Sequence, residues 1–282
     1  MGEYANDVLV GTDWLAENID NPDVRIVEVD EDTEAYERGH IRNALGVNWK
    51  SDLQDPLRRD FISGPDFEKL LDKSGVTKDT TVVLYGGNNN WFASYAYWYF
   101  RYYGHDNTKL LDGGRKKWEL EGRELTKDPA KVVPTSGYKV AKADDEIRAF
   151  RDYIKDNVLD AGGYGLVDVR SPEEFRGELL APAHLPQEQS QKPGHIPGAA
   201  NIPWGKNVNT DTGQFLPAAE LKKLYEENGI TPDKEIVAYC RIGERSALTW
   251  LVLHELLGYP KVRNYDGSWT EWGSLVGAPI EK

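Results

Sequence analysis

The amino-acid sequence repeats itself over most of its 282 residues. The segment 82–86 (Val-Val-Leu-Tyr-Gly) is followed by a polar loop and a long apolar run that ends at Gly104. The segment 236–240 (Ile-Val-Ala-Tyr-Cys) is followed by the same arrangement, which ends at Gly258, so the spacing is 154 residues in both cases. A repeat of this length contains several elements of secondary structure, and it therefore predicts two domains of the same fold.

A polar stretch separates the two halves. It contains Pro129 and Pro134 and shows neither helical nor strand periodicity. Segments of this kind commonly join domains. We therefore predict a first domain at residues 1–125, a linker at residues 126–142 and a second domain at residues 143–282.

Each half alternates short apolar runs with amphipathic ones, which is the pattern of strands connected by helices. The runs predicted as strands, at residues 25–29, 81–85, 166–169 and 235–239, are rich in valine, isoleucine and leucine. Continuous apolar strands are typical of parallel sheets covered on both faces. We therefore predict an α/β fold with two similar domains, each a mainly parallel sheet flanked by helices on both faces.

Two corresponding helices are predicted. In the second half, apolar residues recur at helical spacing from Ser246 onward, and Gly258 followed by Pro260 ends the helix. The first-half counterpart covers residues 92–103 and is largely aromatic, which favours packing in a core.

The second half contains an insertion of about 15 residues relative to the first, within residues 178–193. It is rich in proline and glutamine and contains His184. We interpret it as a surface insertion with His184 exposed, and a flap over a functional site is the alternative.

Charge and hydropathy exclude two classes of partner. The formal net charge is −13, which repels the phosphate backbones of nucleic acids. No apolar run approaches the roughly 20 residues that a membrane helix requires, and the N-terminus lacks the features of a secretory signal. These observations predict a cytoplasmic protein with neither nucleic-acid nor membrane partners.

The only cysteine of the chain, Cys240, lies between a predicted strand and a predicted helix, where α/β sheets bind ligands. We expect backbone amides of the following loop to converge on its sulfur, and Gly243 permits the tight turn. Arg241 and Arg245 add two positive charges. These features predict a lowered thiol pKa and a reactive thiolate. The amides expected in this anion site belong to Ile242, Gly243, Glu244 and Ser246.

The first half lacks this chemistry. Gly86, Gly87 and Trp91 stand where the second half has the cysteine and the two arginines. We therefore predict that the first domain is catalytically inactive. Trp91 and Phe92 are predicted either to form an apolar wall of the cleft or to pack in an interface. Arg170, at the end of a second-half strand, is a further candidate for that wall, with a structural salt bridge as the alternative.

Four short motifs carry a family resemblance. They are Cys-Arg-x-Gly-x-Arg-Ser at 240–246, Gly-His-Ile-Pro-Gly-Ala at 194–199, Asp-Val-Arg at 168–170, and Asp-Gly-Ser at 266–268 with Trp269 and Trp272. In this combination the sequence resembles the rhodanese family, specifically the tandem thiosulfate sulfurtransferases. The resemblance covers both halves in order and nearly the whole chain.

The resemblance implies a sulfurtransferase that works by covalent catalysis. A cysteine attacks the outer sulfur of thiosulfate, releases sulfite and keeps a persulfide, from which cyanide or a thiol removes the sulfur. Cys240 matches the nucleophile, while Arg245 and Arg241 match groups that bind the donor. The resemblance implies no metal and no organic cofactor. The implied partners are thiosulfate, a thiol or cyanide acceptor, and a sulfur-accepting protein.

Three other functions compete with this one. A related branch of the family uses 3-mercaptopyruvate and has Cys-Gly-Ser-Gly-Val in the loop, whereas two arginines suit the thiosulfate dianion better. Cys240 could instead relay a persulfide that it receives from a partner protein. A cysteine-dependent phosphatase or arsenate reductase is disfavoured, because the spacing Cys-x4-Arg is one residue shorter than the Cys-x5-Arg of those enzymes.

Overall fold

The chain forms two compact units in a computed structural model. The model describes residues 4–159, 163–182 and 189–282. The N-terminal unit consists of Val8–Asp144 and Val208–Phe215, and the C-terminal unit includes Asp145–Asn207 and Leu216–Lys282.

The N-terminal unit contains a parallel sheet with accompanying helices. Its strands are β1 (Leu9–Val10), β2 (Val24–Glu28), β3 (Leu45–Gly46), β4 (Thr81–Tyr85) and β5 (Thr108–Leu111). Its helices are α1 (Thr12–Glu17), α2 (Ala35–Arg38), α3 (Gly64–Lys73), α4 (Trp91–Tyr102) and α5 (Gly114–Leu120), with a 3-10 turn at Asn88–Asn90. The strand order is β1-β5-β4-β2-β3, and each pairing is parallel.

The C-terminal unit has the same arrangement. Its strands are β6 (Arg148–Ala149), β7 (Tyr164–Asp168), β8 (Ala200–Asn201), β9 (Glu235–Tyr239) and β10 (Val262–Tyr265). Its helices are α6 (Arg151–Tyr153), α7 (Pro172–Phe175), α8 (Ala218–Glu226), α9 (Glu244–Trp250) and α10 (Ser268–Trp272), with 3-10 turns at Asp145–Ile147 and Trp204–Asn207 and π turns at Ile154–Val158 and Leu251–Leu256. The strand order is β6-β10-β9-β7-β8, again with parallel pairings.

The predicted fold class and the internal repeat are confirmed by these two equivalent sheets. Strands β4 and β9 coincide with the predicted residues, while β2 and β7 begin one or two residues earlier than predicted. In β4 and β9 each residue after the first is buried. The central strands are covered on both faces, and for this reason their sequences do not alternate between apolar and polar residues.

The helix after Cys240 differs from the prediction in its last turns. It begins at Glu244, but from Leu251 to Leu256 it continues as a π-helix, and Gly258 then follows with a left-handed φ of 68°. The spacing of apolar residues does not reveal such a change. A π segment alters the backbone hydrogen bonds from i→i+4 to i→i+5 only over a short stretch, and the same side of the helix stays apolar.

Helix α4 supplies much of the core of the N-terminal unit. It begins one residue before the predicted start, and of its residues only Arg101 is not buried. The side chains of Tyr97, Trp98 and Tyr99 have no exposed surface. The aromatic residues of this helix therefore stabilise the unit by burial, as the sequence predicts.

The stretch predicted as a linker, residues 126–142, packs along the N-terminal unit. Thr126 forms an antiparallel bridge with His40, and Tyr138 is buried. The Asp72 carboxylate accepts a hydrogen bond of 3.0 Å from the amide of Tyr138. This stretch is polar because it crosses the surface of a domain, and its contacts place it with Val8–Asp144.

A short arm of the second half, residues 208–215, belongs to the N-terminal unit. The Asp112 carboxylate accepts hydrogen bonds from the amide of Phe215, at 2.9 Å, and from the side chain of Gln214, at 3.0 Å. In the C-terminal unit, the amide of Ala5 donates to the carbonyl of Leu256 at 2.8 Å. Each unit therefore contains a segment from the other half of the sequence.

The predicted insertion is described only in part, and His184 lies outside the described residues. Its end is anchored in the C-terminal unit: the amide of Lys192 donates to Gly273 at 3.0 Å, and the carbonyl of Lys192 accepts from the Trp269 indole at 3.1 Å. The choice between a surface insertion and a flap stays a prediction.

Candidate active site

Cys240 lies immediately after β9, at the carboxyl end of a central strand of the C-terminal sheet. The loop that follows turns sharply at Gly243, whose φ is 93°, and α9 begins at the next residue. A Cβ atom at position 243 would lie 3.0 Å from the backbone oxygen of Asp266. Only glycine fits this turn, because its backbone is left-handed and a neighbouring segment approaches closely.

The sulfur of Cys240 has polar neighbours although the residue is fully buried. The amide of Gly243 donates to Sγ at 3.2 Å, and the thiol donates to Oε2 of Glu244 at 3.3 Å. The amide of Ser246 also stabilises the thiolate form, whereas the Ser246 hydroxyl donates to Oδ1 of Asn264 at 2.6 Å. The loop therefore forms the start of an anion site around the sulfur, with a carboxylate as an additional neighbour.

The turn at Ser268 supports this loop from the adjacent segment. The Ser268 hydroxyl accepts a hydrogen bond of 3.1 Å from the amide of Cys240 and donates to the carbonyl of Tyr265 at 2.7 Å. The amides of Trp269 and Thr270 donate to the carbonyls of Cys240 and Arg241, each at 3.0 Å. These contacts explain the serine of the Asp-Gly-Ser motif, because its hydroxyl and the two amides after it fix the backbone of the cysteine loop.

The prediction of a lowered pKa for the Cys240 thiol is wrong for this structure. Burial raises the pKa of the thiol above its usual range, and the Glu244 carboxylate raises it further. Arg245 and Ser246 act in the opposite direction but do not outweigh these two effects. The sequence suggested a strongly positive loop, but it did not reveal that a carboxylate would contact the sulfur.

Arg245 does not offer a free positive charge to a donor. Its guanidinium forms a bidentate ion pair with Glu174, with nitrogen–oxygen distances of 2.9 and 3.0 Å, and both residues are buried. Burial opposes ionisation of Glu174, yet the hydrogen bonds and charge of Arg245 lower the pKa of this carboxyl below its usual range. The predicted role of Arg245 in binding the donor therefore stays a prediction.

Sequence reasoning missed Glu174, although a signal for its position was present. Residues 171–174 read Ser-Pro-Glu-Glu, the pattern of a capping box at the start of a helix. In the structure the Ser171 hydroxyl accepts from the amide of Glu174, and the Glu174 side chain accepts from the amide of Ser171. This box fixes the carboxylate that pairs with Arg245.

Arg241 is also matched by a carboxylate. Its guanidinium lies 3.6 Å from Oε1 of Glu244, and both side chains are almost fully buried. Because Arg241 and Arg245 both face carboxylates, their charge no longer favours thiosulfate over 3-mercaptopyruvate. Ile242, the remaining residue of the predicted loop, is buried beside them.

Arg170 forms a buried ion pair. It has no exposed surface, its guanidinium lies 2.5 Å from the Asp168 carboxylate, and it donates to the carbonyl of Gly194 at 2.7 Å. The salt bridge expected as the alternative is therefore present, and the candidate role of Arg170 in a cleft wall stays a prediction.

Trp91 and Phe92 are buried at the start of α4 in the N-terminal unit. The ring of Phe92 packs against Trp49, with 4.7 Å between ring centroids. Trp91 packs against Phe92, with 5.1 Å between ring centroids, and the predicted role of both residues as a wall stays a prediction.

The matching loop of the N-terminal unit is closed by an asparagine. The buried side chain of Asn90, the counterpart of Glu244, accepts from the amide of Gly86 at 3.0 Å and donates to the carbonyl of Leu111 at 2.6 Å. A Cβ at Gly86 would lie 2.3 Å from the carbonyl oxygen of Val29. This loop therefore has neither a thiol nor the space for a side chain at position 86, and the inactivity of the first domain stays a prediction.

Two features are absent from the described ranges, 4–159, 163–182 and 189–282. No helix there is long and apolar enough to cross a membrane. No group of three or more histidine, cysteine, aspartate or glutamate residues there is arranged to hold a metal ion.

The chain is similar to several known proteins over nearly its whole length. A family model described as "Rhodanese-like domain" matches it twice, at residues 11–121 and 151–275. A protein of Mycolicibacterium smegmatis named "Putative thiosulfate sulfurtransferase" is 60% identical over 276 residues, which cover 98% of each chain. A protein of Thermus thermophilus named "Sulfur carrier protein TtuD" is 53% identical over 284 residues, covering 100% of this chain and 99% of that protein.

Solved structures show the same similarity. The anaerobic ergothioneine biosynthesis enzyme from Chlorobium limicola matches with a TM-score of 0.82 and 26% identity, over 98% of this chain and 70% of that chain. A structure of EanB, in which ergothioneine is covalently linked with a cysteine persulfide, matches with a TM-score of 0.83 and 27% identity over the same shares of the two chains.

Proposed function

The chain belongs to the rhodanese family, and we propose that it is a sulfurtransferase that moves the outer sulfur of thiosulfate to a thiophilic acceptor through a persulfide on Cys240. The family and the names of the similar proteins support sulfur transfer in general. Thiosulfate as the donor and cyanide or a thiol as the acceptor are the specific parts of the proposal.

The proposed reaction has two displacement steps. In the first, the Cys240 thiolate attacks the outer sulfur of thiosulfate; a bond from Sγ to that sulfur forms while the sulfur–sulfur bond of thiosulfate breaks, and its electron pair leaves with sulfite. In the second, cyanide attacks the outer sulfur of the persulfide. The bond to Sγ then breaks, thiocyanate leaves, and the thiolate is restored.

The observation that carries this proposal is the amide contact to the sulfur of Cys240. The Gly243 amide lies 3.2 Å from Sγ, in a loop at the carboxyl end of a central strand. An amide in this place stabilises negative charge on the thiolate and on the persulfide that replaces it. Cys240 is the only cysteine of the chain, so no other thiol can carry the sulfur.

The name of one similar protein supports a second candidate function. The Thermus thermophilus protein is named a sulfur carrier, and this chain is 53% identical to it. Cys240 would then accept a persulfide from a partner protein and pass the sulfur on, with the same loop holding the intermediate. Comparison of sulfur loading from thiosulfate with loading from a protein persulfide separates the two candidates.

The proposal is tested with Cys240→Ser. Thiosulfate treatment is expected to add one sulfur atom to the wild-type protein, and cyanide is expected to remove it; the variant should show neither change, because a hydroxyl does not form a persulfide. Intact-mass spectrometry and the thiocyanate assay measure the two effects. The variant should keep the far-UV circular dichroism spectrum of the wild type, since serine differs by one atom. Full thiocyanate formation by the variant would disprove the proposal.

A further inference from the structure

Glu244 occupies an unusual position for a site that is proposed to bind an anion. Its side chain is fully buried at the first position of α9. One carboxylate oxygen accepts a hydrogen bond from the Cys240 thiol at 3.3 Å, and the other lies 3.6 Å from the Arg241 guanidinium. Any donor whose outer sulfur reaches Sγ therefore comes close to this negative charge.

The arginines around the loop leave no surplus of positive charge. Four buried arginines of the C-terminal unit each pair with a buried carboxylate, so these eight charges sum to zero. The pairs are Arg148 with Asp266, Arg170 with Asp168, Arg241 with Glu244, and Arg245 with Glu174. A net charge of zero does not compensate a donor with two negative charges.

The remaining anion stabilisation comes from neutral groups. The amides of Gly243 and Ser246 are dipoles that stabilise negative charge on the sulfur, and such dipoles suit one negative charge in a small volume. A donor with one negative charge gains from these dipoles, whereas the second charge of thiosulfate meets the Glu244 carboxylate.

We propose that Glu244 determines donor specificity by charge, so that the site prefers sulfur donors with a single negative charge, such as persulfides, over the thiosulfate dianion. The inference rests on the proposed Cys240 persulfide: thiosulfate stays a donor that the site accepts, and donors with one negative charge react with a higher kcat/KM. For a persulfide anion RSS⁻, Sγ bonds to the outer sulfur, the donor's sulfur–sulfur bond breaks, and RSH leaves with the proton of the Cys240 thiol.

The N-terminal unit indicates that a neutral amide side chain is compatible with this position. Asn90 is the counterpart of Glu244 and is buried in the matching loop with its amide hydrogen-bonded. Glu244→Gln keeps the size of the side chain and removes only its charge. We therefore expect this variant to fold.

The experiment compares two donors that differ in charge but share the same reaction. Thiosulfate carries two negative charges, while methanethiosulfonate has a methyl group in place of one oxygen and carries one; both transfer the outer sulfur, and their leaving groups are sulfite and methanesulfinate. The ratio of kcat/KM for thiosulfate to kcat/KM for methanethiosulfonate is measured with cyanide as the acceptor. Any change in thiol reactivity affects both donors and cancels in this ratio.

In Glu244→Gln the ratio of kcat/KM for thiosulfate to kcat/KM for methanethiosulfonate is expected to rise about tenfold. This is the size of the effect when one charge close to another is removed in a partly screened site. Arg241→Gln removes a positive charge instead, so in this variant the ratio should fall. Arg241→Gln therefore provides a second test if Glu244→Gln does not fold. Glu173→Gln is the matched control, because Glu173 is an exposed glutamate beside Glu174, and its removal should leave the ratio within about twofold of the wild type.

Two failures are distinguishable. If both donors load Cys240 and the ratio is the same in Glu244→Gln as in the wild type, the inference about Glu244 is wrong and the proposed function stands. If neither donor adds sulfur to the wild-type protein, the proposed function itself is wrong.

Discussion

Arg245 is held in place by a partner that is distant in the sequence. The guanidinium and the Glu174 carboxylate form two hydrogen bonds and are both buried, and burial alone would disfavour the charge on either group. An isolated charge in this place would be costly, so each residue depends on the other. This mutual dependence determines the consequences of replacing either one.

We expect Arg245→Ala to destabilise the C-terminal unit by about 3–5 kcal/mol, because it leaves the Glu174 carboxylate buried without a counter-charge. Urea denaturation followed by circular dichroism measures this loss.

The double variant Arg245→Ala/Glu174→Gln is the control. It should recover at least half of the lost free energy of unfolding, because no buried charge remains unpaired. If its kcat/KM for thiosulfate nevertheless stays low, Arg245 acts on the donor as well as on the fold. A double variant as unstable as the single one would contradict the explanation by charge pairing.

At the scale of an element, the loop between β9 and α9 depends on the backbone conformation of one residue. Gly243 combines a left-handed φ of 93° with a close approach to Asp266. The same turn directs the Gly243 amide toward the sulfur of Cys240. The shape of the loop and its chemistry therefore have a common origin.

Gly243→Ala is expected to lower the free energy of unfolding by about 1–3 kcal/mol and to slow persulfide formation, because the added methyl group strains the backbone and meets the Asp266 segment. Gly277→Ala is the control, since Gly277 has a φ of 77° but nothing within 4 Å of an added Cβ. The control should show the smaller loss of stability and normal rates of sulfur loading. Equal effects of the two substitutions would show that the contact with Asp266 is unimportant.

The sequence predicts the strands, the repeat and the position of Cys240, because each of these follows from local patterns. Apolar runs mark the buried strands, and a thiol between a strand and a helix lies at the carboxyl edge of a sheet. The charges at the site could not be assigned in this way. Glu174 reaches Arg245 from 71 positions away, and Glu244 contacts both the thiol and Arg241. Tertiary packing decides the pairing of Glu174 with Arg245, whereas Glu244 lies three and four positions from Arg241 and Cys240 and reaches them through the fold of their own loop.

At the scale of the whole molecule, the two units do not correspond to two continuous pieces of sequence. The arm at residues 208–215 belongs to the N-terminal unit, where Asp112 accepts hydrogen bonds from Phe215 and Gln214. The amide of Ala5, near the start of the chain, bonds to Leu256 in the C-terminal unit. A division of the chain at the repeat boundary would therefore remove contacts from both units.

Asp112→Ala is expected to loosen the arm, because two hydrogen bonds to a partly buried carboxylate are lost, with a cost of about 1–3 kcal/mol. Hydrogen–deuterium exchange measured by mass spectrometry should show faster exchange in peptides that cover residues 208–215, whereas peptides from β7 and β9 should be unchanged. Asp106→Ala, at an exposed aspartate that pairs with Arg101, is the control and should leave the arm protected. An arm that exchanges no faster in Asp112→Ala would show that other contacts hold it.

Two segments belong to the unit formed mainly by the other half of the sequence: the arm at residues 208–215 and the residues around Ala5. This arrangement has a consequence for the synthesis of the protein. Residues 8–144 are translated before the arm, so Asp112 cannot bond to Gln214 and Phe215 until residue 215 has been synthesised. In the C-terminal unit the order is reversed, because Ala5 is translated before its partner Leu256. Each unit can therefore complete its contacts only when a segment from the other half of the sequence is also present.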